Sequence, residues 1–371
     1  MEQTVERVEV LIIGAGSIGC AIAEELAGRG QQGVLVVDRG KAGDGSSNRA
    51  AGGLRAQFPT EINVRMTLLS QPYFREMGDT IDWVESGYIY LGRNPGKPEE
   101  YQRNVAMQRA LGVDVEMVDP DTLESRWPWL NAEGVIAATW CPTDAVFDQV
   151  KFMDVLVERA QAAGAEVREG VAVTGLRMDG DRVVGVETTA GSIEAGVTVL
   201  AAGAWSPPIA ATVGLTLPVG MVRREIFTFE RTPALPETTP FVADFDLGRY
   251  IAQNVNDLRM SGGMSVSDNP EAPVNLANGE AAQSSVSQLV PVVAGLRQTG
   301  GWAGLIESTP DGHALLGTAS GYDGLIIATG FSGHGVMHAP VTATLVAEMI
   351  LDGAPSTLDI ASLAPTRFAE G

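Results

Sequence analysis

The fold is decided by residues 8–19, VEVLIIGAGSIG. The largely apolar run Val8–Ile13 predicts a strand that is buried on both faces. Glycines with the spacing Gly-x-Gly-x-x-Gly follow it, and a helical pattern of apolar residues continues to Ala27. A second apolar run, Val34–Val37, predicts another buried strand, which ends in Asp38. Together these elements predict a βαβ unit, the opening of a Rossmann-like α/β domain with a parallel sheet.

Each glycine of this motif has a physical reason to be there. Gly14 makes the tight turn, Gly16 lets the backbone approach a pyrophosphate, and Gly19 permits close packing of the helix on the strand. The helix N-terminus offers N–H groups to the phosphates, and Asp38 can accept a hydrogen bond from a ribose hydroxyl. The alternative, a glycine-rich turn without a ligand, leaves this full context unexplained. The residues predicted to contact a dinucleotide here are Gly14, Ala15, Gly16, Ser17, Ile18, Gly19, Asp38 and Arg39.

Composition excludes several functional classes. The 371 residues suffice for two domains with substantial cores, and 25 basic against 46 acidic residues give a formal charge of −21. Such an acidic surface repels nucleic acid and anionic lipid, so an anionic substrate needs a local cation. The two cysteines make neither a disulfide framework nor a metal cluster. The N-terminus lacks an apolar signal region and no apolar run is long enough to span a bilayer, so we expect a cytoplasmic protein without a metal.

The predicted nucleotide-binding elements occupy both ends and the middle of the chain. Apolar runs at Val197–Ala201 and Gly324–Ala328 predict further buried strands. From Leu217 to about Ser265, alternating residues with Pro-rich turns predict an antiparallel sheet. The fold class is therefore α/β, with α+β character in the insert. We assign residues 1–80, 143–216 and 311–371 to a discontinuous nucleotide-binding domain, and residues 81–142 and 217–310 to a substrate-binding domain.

Three local patterns give more detailed expectations. Arg182–Thr188 and Gly191–Ala195 resemble a hairpin, separate from the strand Val197–Ala201. Ala281–Leu296 reads as one helix, and the last helix is expected over Pro340–Leu351.

The dispersal of the nucleotide-binding elements favours FAD over NAD. A nicotinamide dehydrogenase usually has a compact cofactor domain followed by a second domain with a proton-relay residue. Here Val199-Leu200-Ala201-Ala202-Gly203-Ala204-Trp205 resembles the flavoprotein strand that passes near the first βαβ unit. Because of this stretch, the sequence resembles the D-amino-acid oxidase superfamily, and within it the branch of sarcosine oxidase and glycine oxidase.

The resemblance covers nearly the whole chain and rests on motifs in the family's order. Gly45–Arg55 looks like the loop around the flavin, and Gly164–Val173 matches the segment that holds adenine. The family's signature where the chain passes from the substrate sheet back to the flavin domain resembles Trp302–Gly304 together with Thr309–Gly312. The stretch under the flavin resembles Gly330–Gly335. The further FAD contacts that the resemblance implies are Ser46, Ser47, Ala51, Gly52, Gly53, Val173, Ala202, Gly203, Trp205, Gly330, Ser332, Gly333, His334, Gly335, Val336 and Met337.

Arg55 falls where the resemblance implies an arginine that pairs with the substrate carboxylate. A guanidinium suits this role because two parallel N–H···O bonds fix a planar anion. The alternative is a structural ion pair. Relatives carry additional cations at the positions of Ile306, Gly333 and Met337. The pocket is therefore expected to be more apolar than in those relatives, and the substrate to be an N-substituted glycine that is larger than sarcosine.

Three further residues complete the predicted site. His334 is expected to position substrate or flavin rather than to act as an obligatory base, and the alternative is a structural histidine. Tyr250 aligns with an aromatic residue of the substrate domain, although a core tyrosine fits as well. Arg259 falls near the position of an oxygen-activating lysine. The predicted substrate-side residues are thus Arg55, Tyr250, Arg259, Ile306 and Met337, with His334 and Arg55 as catalytic candidates.

The resemblance implies noncovalent FAD and oxidation of an amine. Gly304 replaces the cysteine, and Asn48 the histidine, through which relatives attach flavin covalently. The implied reaction is hydride transfer from a secondary amine or amino acid to flavin N5, imine hydrolysis, and reoxidation by O2 to H2O2. Alternatives are a flavin dehydrogenase for proline-like amino acids, a flavoprotein subunit of a heteromeric complex, and an NAD enzyme. A homo-oligomer is left open.

Overall fold

The computed structural model describes residues 5–262, 264–265 and 271–368. The first four residues, which belong to the N-terminus expected to lack a signal region, and the end of the last predicted domain lie outside these ranges. The chain forms two compact units: unit 1 comprises Met1–Asn48, Val150–Met221 and Leu305–Gly371, and unit 2 comprises Arg49–Gln149 and Val222–Gly304. Residues 49–80, assigned above to the nucleotide-binding domain, belong to unit 2, and the division by role stays a prediction.

The described residues form helices and strands with the following bounds. The helices are α1 Ser17–Gly28, α2 Glu61–Met77, α3 Pro98–Ala110, α4 Pro120–Arg126, α5 Gln149–Ala162, α6 Ser206–Ala211, α7 Asn278–Ser287 and α8 Gly335–Leu351. The strands are β1 Glu6–Ile13, β2 Val34–Val37, β3 Gly53–Leu54, β4 Tyr88–Gly92, β5 Glu116–Val118, β6 Ala137–Cys141, β7 Ala145–Val146, β8 Glu166–Arg168, β9 Val173–Asp179, β10 Arg182–Thr188, β11 Gly191–Leu200, β12 Gly220–Phe229, β13 Phe241–Asp244, β14 Arg249–Gln253, β15 Leu258–Ser261, β16 Met264–Ser265, β17 Gln298–Ser308, β18 Leu315–Thr318 and β19 Leu325–Thr329.

Unit 1 is built on a sheet with the strand order β18-β19-β11-β1-β2-β8. The pairs β19–β11, β11–β1, β1–β2 and β2–β8 are parallel, as the opening βαβ pattern predicts. In β1, Leu11 and Ile12 have no solvent exposure, because both faces of this central strand are covered. Helices α1 and α8 pack against each other. The predicted Rossmann-like domain is confirmed.

Unit 2 carries the second sheet, with the strand order β16-β12-β15-β14-β13-β4-β6-β5. Most neighbouring strands are antiparallel, as predicted, but β13 runs parallel to β4. One hydrophobic cluster of this unit contains Trp127, Phe229 and Leu289. A second, more aromatic cluster contains Tyr88, Phe241 and Tyr250. The mixed α/β and α+β fold class is confirmed.

The structure corrects three local expectations. Helix α7 ends at Ser287 instead of reaching Leu296, because Pro291 lacks the N–H that a continuing helix needs. Helix α8 begins at Gly335, before Pro340, and burial of Met337 and Ala339 offsets the hydrogen bond that Pro340 cannot donate. The hairpin strand and the buried strand that follows it form one strand, β11.

Gly196 explains why β11 looked like two strands. A Cβ at this position would lie 2.9 Å from the backbone oxygen of Glu9 in β1. The glycine therefore marks a close approach of two paired backbones and not a break between strands.

Both cysteines are packed thiols. Cys20 in α1 and Cys141 in β6 have no solvent exposure, and neither forms a disulfide. Burial raises the pKa of the Cys20 thiol to about 12 and also raises the pKa of the Cys141 thiol. Each thiol is therefore protonated at neutral pH and packs as a small apolar group.

Candidate cofactor and substrate sites

The glycine turn of unit 1 has the shape that a pyrophosphate requires. Gly14 has φ of +107°, and a Cβ there would lie 2.5 Å from the backbone oxygen of Ala201. A Cβ at Gly19 would lie 1.9 Å from the backbone oxygen of Gly14. At Gly16 it would lie 3.2 Å from Ser47 Oγ, so the missing side chain keeps the start of α1 accessible. The turn therefore fits a dinucleotide on geometry as well as on spacing.

Ser47 prepares the N-terminus of α1 inside the same unit. Its hydroxyl oxygen accepts a hydrogen bond from the backbone N–H of Ser17 at 2.9 Å, and Gly16 at the N-cap supplies no side chain for that purpose. Because the first N–H groups of a helix have no partner within the helix, a nearby hydroxyl or phosphate is the usual acceptor. Ser47 is 7% exposed, whereas Ser46 next to it is half-buried.

Asp38 has a role that the sequence did not predict. Its Oδ2 accepts a hydrogen bond from the backbone N–H of Ala15 at 2.8 Å, and its Oδ1 accepts one from Gly40 at 2.8 Å. The carboxylate thus joins the end of β2 to the glycine turn. Each carboxylate oxygen has a second lone pair, so a ribose contact remains compatible with this arrangement.

Arg39 and Trp205, both predicted to contact the cofactor, lie together. Arg39 Cζ is 4.1 Å from the centre of the Trp205 ring, within the range of a cation–π interaction. A Cβ at Gly45 would lie 3.9 Å from the same ring. Val173, in contrast, begins β9, which pairs with β10 outside the main strand order.

Glu307 is a residue of unit 1 that sequence reasoning missed. Its Oε1 accepts a hydrogen bond from the backbone N–H of Phe331 at 3.2 Å, and its Oε2 lies 2.9 Å from the hydroxyl of Thr329. Burial raises the pKa of this carboxyl group, while these hydrogen bonds oppose the shift. Glu307 therefore holds the end of β19 and the turn that follows it.

That turn brings together several of the predicted cofactor residues. Gly330, Ser332 and Gly333 have φ of +75°, +52° and +85°. Positive φ costs a residue other than glycine energy, and Ser332 adopts it here. A Cβ at Gly333 would lie 3.5 Å from Ile306 Cγ2, so Ile306 places an apolar side chain beside the turn.

His334 lies at the N-terminal end of α8. Its backbone N–H donates to the oxygen of Phe331 at 2.8 Å, and its ring centre is 5.8 Å from that of His338. His334 is half-buried, whereas His338 is 1% exposed and Met337 is 7% exposed. Of the two histidines, His334, which is the predicted site residue, is therefore the one that is partly exposed.

Arg55 in unit 2 lies among aromatic rings. Its Cζ is 3.8 Å from the centre of the Phe58 ring, 5.6 Å from Tyr90 and 5.9 Å from Phe245. Its Nη1 donates a hydrogen bond to the backbone oxygen of Gln57 at 2.9 Å. The guanidinium is half-buried and oriented, which suits recognition of a planar anion.

Asp144 supports this segment and was also missed. It has no solvent exposure, accepts hydrogen bonds from the backbone N–H of Ala56 at 2.7 Å and from Gln57 Nε2 at 3.0 Å, and so fixes the two residues after Arg55. Burial raises the pKa of Asp144 to about 6, against the opposing effect of these bonds and of Arg55. The only sequence signal was an acid directly before an apolar pair.

Arg259 is largely engaged in structural contacts. Its Nη1 donates to the backbone oxygen of Ala51 at 2.9 Å and to Gln149 Oε1 at 2.6 Å, and its Nε is 3.1 Å from Asp257 Oδ1. These bonds fix the loop that contains Gly52 and Gly53. A Cβ at Gly53 would lie 1.6 Å from the Tyr88 hydroxyl, so only glycine fits there.

Tyr250 belongs to a row of aromatic rings on one face of the second sheet. Tyr88 stacks on Phe241 with ring centres 4.2 Å apart, and Phe241 lies 5.0 Å from Tyr250. We call these residues, with Tyr90, the aromatic face. Tyr250 is 4% exposed, and burial raises the pKa of its hydroxyl to about 12.

Among the described residues, no helix has both the length and the apolar character needed to cross a bilayer.

Comparisons with known proteins agree with this geometry. Glycine oxidase of Geobacillus kaustophilus is 29% identical, over 97% of both chains. Human mitochondrial sarcosine dehydrogenase is 26% identical over 93% of this chain, which spans only 40% of that protein. The crystal structure of L-proline dehydrogenase from P. horikoshii superposes with a TM-score of 0.90 and 28% identity, covering 99% of each chain. The profile described as "DAO: FAD dependent oxidoreductase" matches residues 9–349, and the chain therefore belongs to the DAO family of FAD-dependent oxidoreductases.

Proposed function

We propose that this enzyme oxidises a secondary amine or an amino acid, with an N-substituted glycine as the preferred substrate class. The observation that carries the proposal is the glycine turn of unit 1, whose geometry fits FAD, in a chain similar to glycine oxidase over nearly its full length. Sarcosine dehydrogenase, another relative, is named for sarcosine, which is an N-substituted glycine.

Bound FAD would supply two-electron redox chemistry: the substrate amine would lose a hydride equivalent and a proton to become an imine that water hydrolyses, and O2 would take up the two electrons and two protons as H2O2. The chain's own residues bind and orient the reactants. The glycine turn and the start of α1 would bind the pyrophosphate, and Ser332, Gly333 and His334 would contact the cofactor. We propose the other predicted cofactor residues in the same role.

Arg55 is proposed to bind the substrate carboxylate with two parallel hydrogen bonds. Its contact with Phe58 and its bond to Gln57 support this role, because both reduce the number of orientations that the guanidinium can adopt. Ile306 and Met337 would supply apolar contacts. Tyr250 and Arg259 stay in the proposed set, although the bonds of Arg259 to Ala51 and Gln149 favour a supporting role.

A second candidate is a dehydrogenase for proline-like amino acids that passes electrons to an acceptor other than O2. The superposition with L-proline dehydrogenase, at a TM-score of 0.90, favours it. In this alternative the chain could also serve as the flavoprotein subunit of a heteromeric complex. O2 as acceptor, the cytoplasmic location and the oligomeric state all remain predictions.

The test is a substrate panel on the purified protein, with sarcosine, glycine, proline and larger N-alkylglycines. Each substrate is assayed twice, by peroxide formation under air and by reduction of an artificial dye without oxygen. Peroxide from an N-alkylglycine supports the first candidate, and dye reduction with proline but no peroxide supports the second. If none of these amines reduces the flavin while gel filtration shows an intact chain, oxidation of this substrate class by the chain alone is ruled out.

A further inference from the structure

The three most buried arginines of unit 2 each pair with a carboxylate. Arg223 pairs with Glu225 at 2.9 Å, Arg249 with Asp244 at 3.3 Å, and Arg259 with Asp257 at 3.1 Å. These pairs and their additional bonds to backbone oxygens satisfy most of the N–H groups of these guanidinium groups, which are shielded from water.

Arg224, which is half-buried, differs from them because it forms no ion pair with a carboxylate of the described residues. Its Nε, like the Nε of Arg223, is buried and has no hydrogen-bond partner among the residues that the structure describes. Its Cζ lies 5.6 Å from the centre of the Tyr250 ring, so the guanidinium is beside the aromatic face. Leaving a buried N–H of a charged group without an acceptor is costly, and such an atom calls for an explanation.

The hydroxyl of Tyr250 is a second such atom at the same place. It is buried and makes no hydrogen bond of acceptable geometry within the described ranges. Ser261, its partner in the strand register, donates its own hydroxyl to the backbone oxygen of Glu225 at 2.9 Å. Burial raises the pKa of the Tyr250 hydroxyl, whereas the charges of Arg224 and Arg259 and the nearby side chains of Ser261 and Arg224, which are close enough for hydrogen bonding, lower it.

A carboxylate satisfies both atoms at once. It accepts from the guanidinium N–H and from the phenol O–H, and its charge matches that of Arg224. The surrounding rings of Tyr88 and Phe241 and the side chain of Ile226 are apolar, so the rest of such a ligand would contact hydrocarbon.

We propose that Arg224 and Tyr250 form an anion-binding position on the aromatic face and that a carboxylate of the substrate occupies it. This inference rests on the proposed function for the identity of the ligand, but not on Arg55. The carboxylate is either the one that Arg55 was expected to bind or a second acidic group on the same substrate. In both cases the substrate is an amino acid whose anion is recognised by an arginine of β12.

The test measures equilibrium binding to the FAD-loaded protein by calorimetry, with benzoate as a monocarboxylate probe and glutarate as a dicarboxylate probe. The variants are Arg224→Met, Arg224→Lys, Tyr250→Phe and Arg55→Met. Arg297→Met is the control, because it removes the same charge from an exposed ion pair with Glu230 in the same unit. The visible flavin spectrum verifies that each variant is folded and loaded.

Arg224→Met is expected to raise the Kd of at least one probe about tenfold or more, because a hydrogen bond to a charged group is lost. Tyr250→Phe should raise the Kd less, Arg224→Lys should recover part of the loss, and Arg297→Met should have no effect. If Arg224→Met raises the Kd of both benzoate and glutarate, Arg224 binds the carboxylate that every substrate of this class carries. A loss for glutarate alone assigns a second acidic group to it.

The proposal is overturned if Arg224→Met leaves both values of Kd within twofold, if Arg297→Met changes them equally, or if the wild type binds neither probe. If Arg224→Met does not fold, Arg224→Lys and Tyr250→Phe decide by the same criteria. A normal Kd in Arg55→Met together with a loss in Arg224→Met would contradict the proposed role of Arg55 and support this inference. A loss of binding in Arg55→Met together with a normal Kd in Arg224→Met would support the proposed role of Arg55 and contradict this inference.

Discussion

The carboxylate of Asp144 accepts a hydrogen bond from the backbone N–H of Ala56 at 2.7 Å, one residue beyond Arg55. Because Asp144 has no solvent exposure and also accepts from Gln57, it fixes the backbone from which the Arg55 side chain extends. The orientation of the proposed carboxylate-binding arginine thus depends on a buried acid from a distant part of the chain.

Asp144 gives stability a pH dependence that Asp144→Asn removes. Burial raises the pKa of this group to about 6, above the ordinary value of 3.8, so the folded protein binds the proton more tightly than the unfolded chain. The wild type should therefore lose about 2 kcal/mol relative to Asp144→Asn as the pH rises from 4 to 7. Thermal unfolding of both proteins at several pH values measures the difference, and a Tm gap that is independent of pH contradicts the assignment.

Arg55→Met should mainly weaken the binding of substrates that carry a carboxylate. Truncating one partner of a buried charge pair costs ~2–5 kcal/mol, so the apparent affinity should fall by at least ~30-fold. Arg55→Lys should restore only part, because an ammonium cannot make two parallel hydrogen bonds. The sharper measurement compares an acid with its decarboxylated analogue, whose reactivities should converge in Arg55→Met. If the preference for the acid survives, another residue is the anchor, and Arg224 is the first to examine.

His334→Ala should slow reduction of the flavin and leave FAD bound. Removing a positioning residue should slow the reaction by less than ~100-fold, since general acid–base catalysis contributes ~10²–10⁴-fold. Stopped-flow absorbance under anaerobic conditions measures the rate, and His313→Ala is a control from a different turn of unit 1. A wild-type rate in His334→Ala would leave this histidine with a packing role only.

Asp38→Ala should weaken FAD retention by more than the loss of a ribose contact alone. That contact is worth ~1.5–3 kcal/mol, and the substitution also removes both acceptors that hold Ala15 and Gly40. Asp38→Asn is the matched variant, because its amide oxygen can still accept one of the two hydrogen bonds from Ala15 and Gly40. FAD occupancy after dialysis gives the measurement. Unchanged occupancy in Asp38→Ala would show that neither the ribose contact nor the turn depends on this residue.

Denaturation should release all the flavin, because we expect noncovalent FAD. Gly304 has no thiol that could form a link, and a Cβ there would lie 3.0 Å from Arg49 Cβ, so a side chain at this position would require Arg49 to shift. The measurement is the visible absorbance of the supernatant and the precipitate after acid treatment of yellow protein. Flavin that stays with the precipitated chain would reveal a covalent link.

What could be predicted from the sequence depended on how local each signal was. Gly14, Gly16 and Gly19 stand in one short motif whose spacing reflects a turn and a helix start, and the βαβ unit followed from them. Pro291 could have limited α7, since its effect on a helix is also local. Gly196 was ambiguous, because a glycine in a strand marks either a break or a close approach.

The supporting acids could not be found in the same way. Asp144 reaches Ala56 across 88 residues of sequence, and Glu307 meets Thr329 across 22. Nothing near Glu307 in the chain, and only the apolar pair after Asp144, indicates that these acids will be enclosed and hydrogen-bonded. The sequence also does not show which of the two adjacent arginines lacks a carboxylate partner. Arg223 and Arg224 lie on opposite faces of β12, and only Arg223 pairs with Glu225.

The two buried thiols have a practical consequence. Cys20 lies in unit 1 and Cys141 in unit 2, each without exposure and each with a raised pKa. Since the thiolate is the reactive species, an alkylating reagent can label either position only after the surrounding structure opens. The natural chain therefore contains one chemical reporter for each unit, and mass spectrometry of the labelled peptides can follow the opening of the two units separately without introducing a probe.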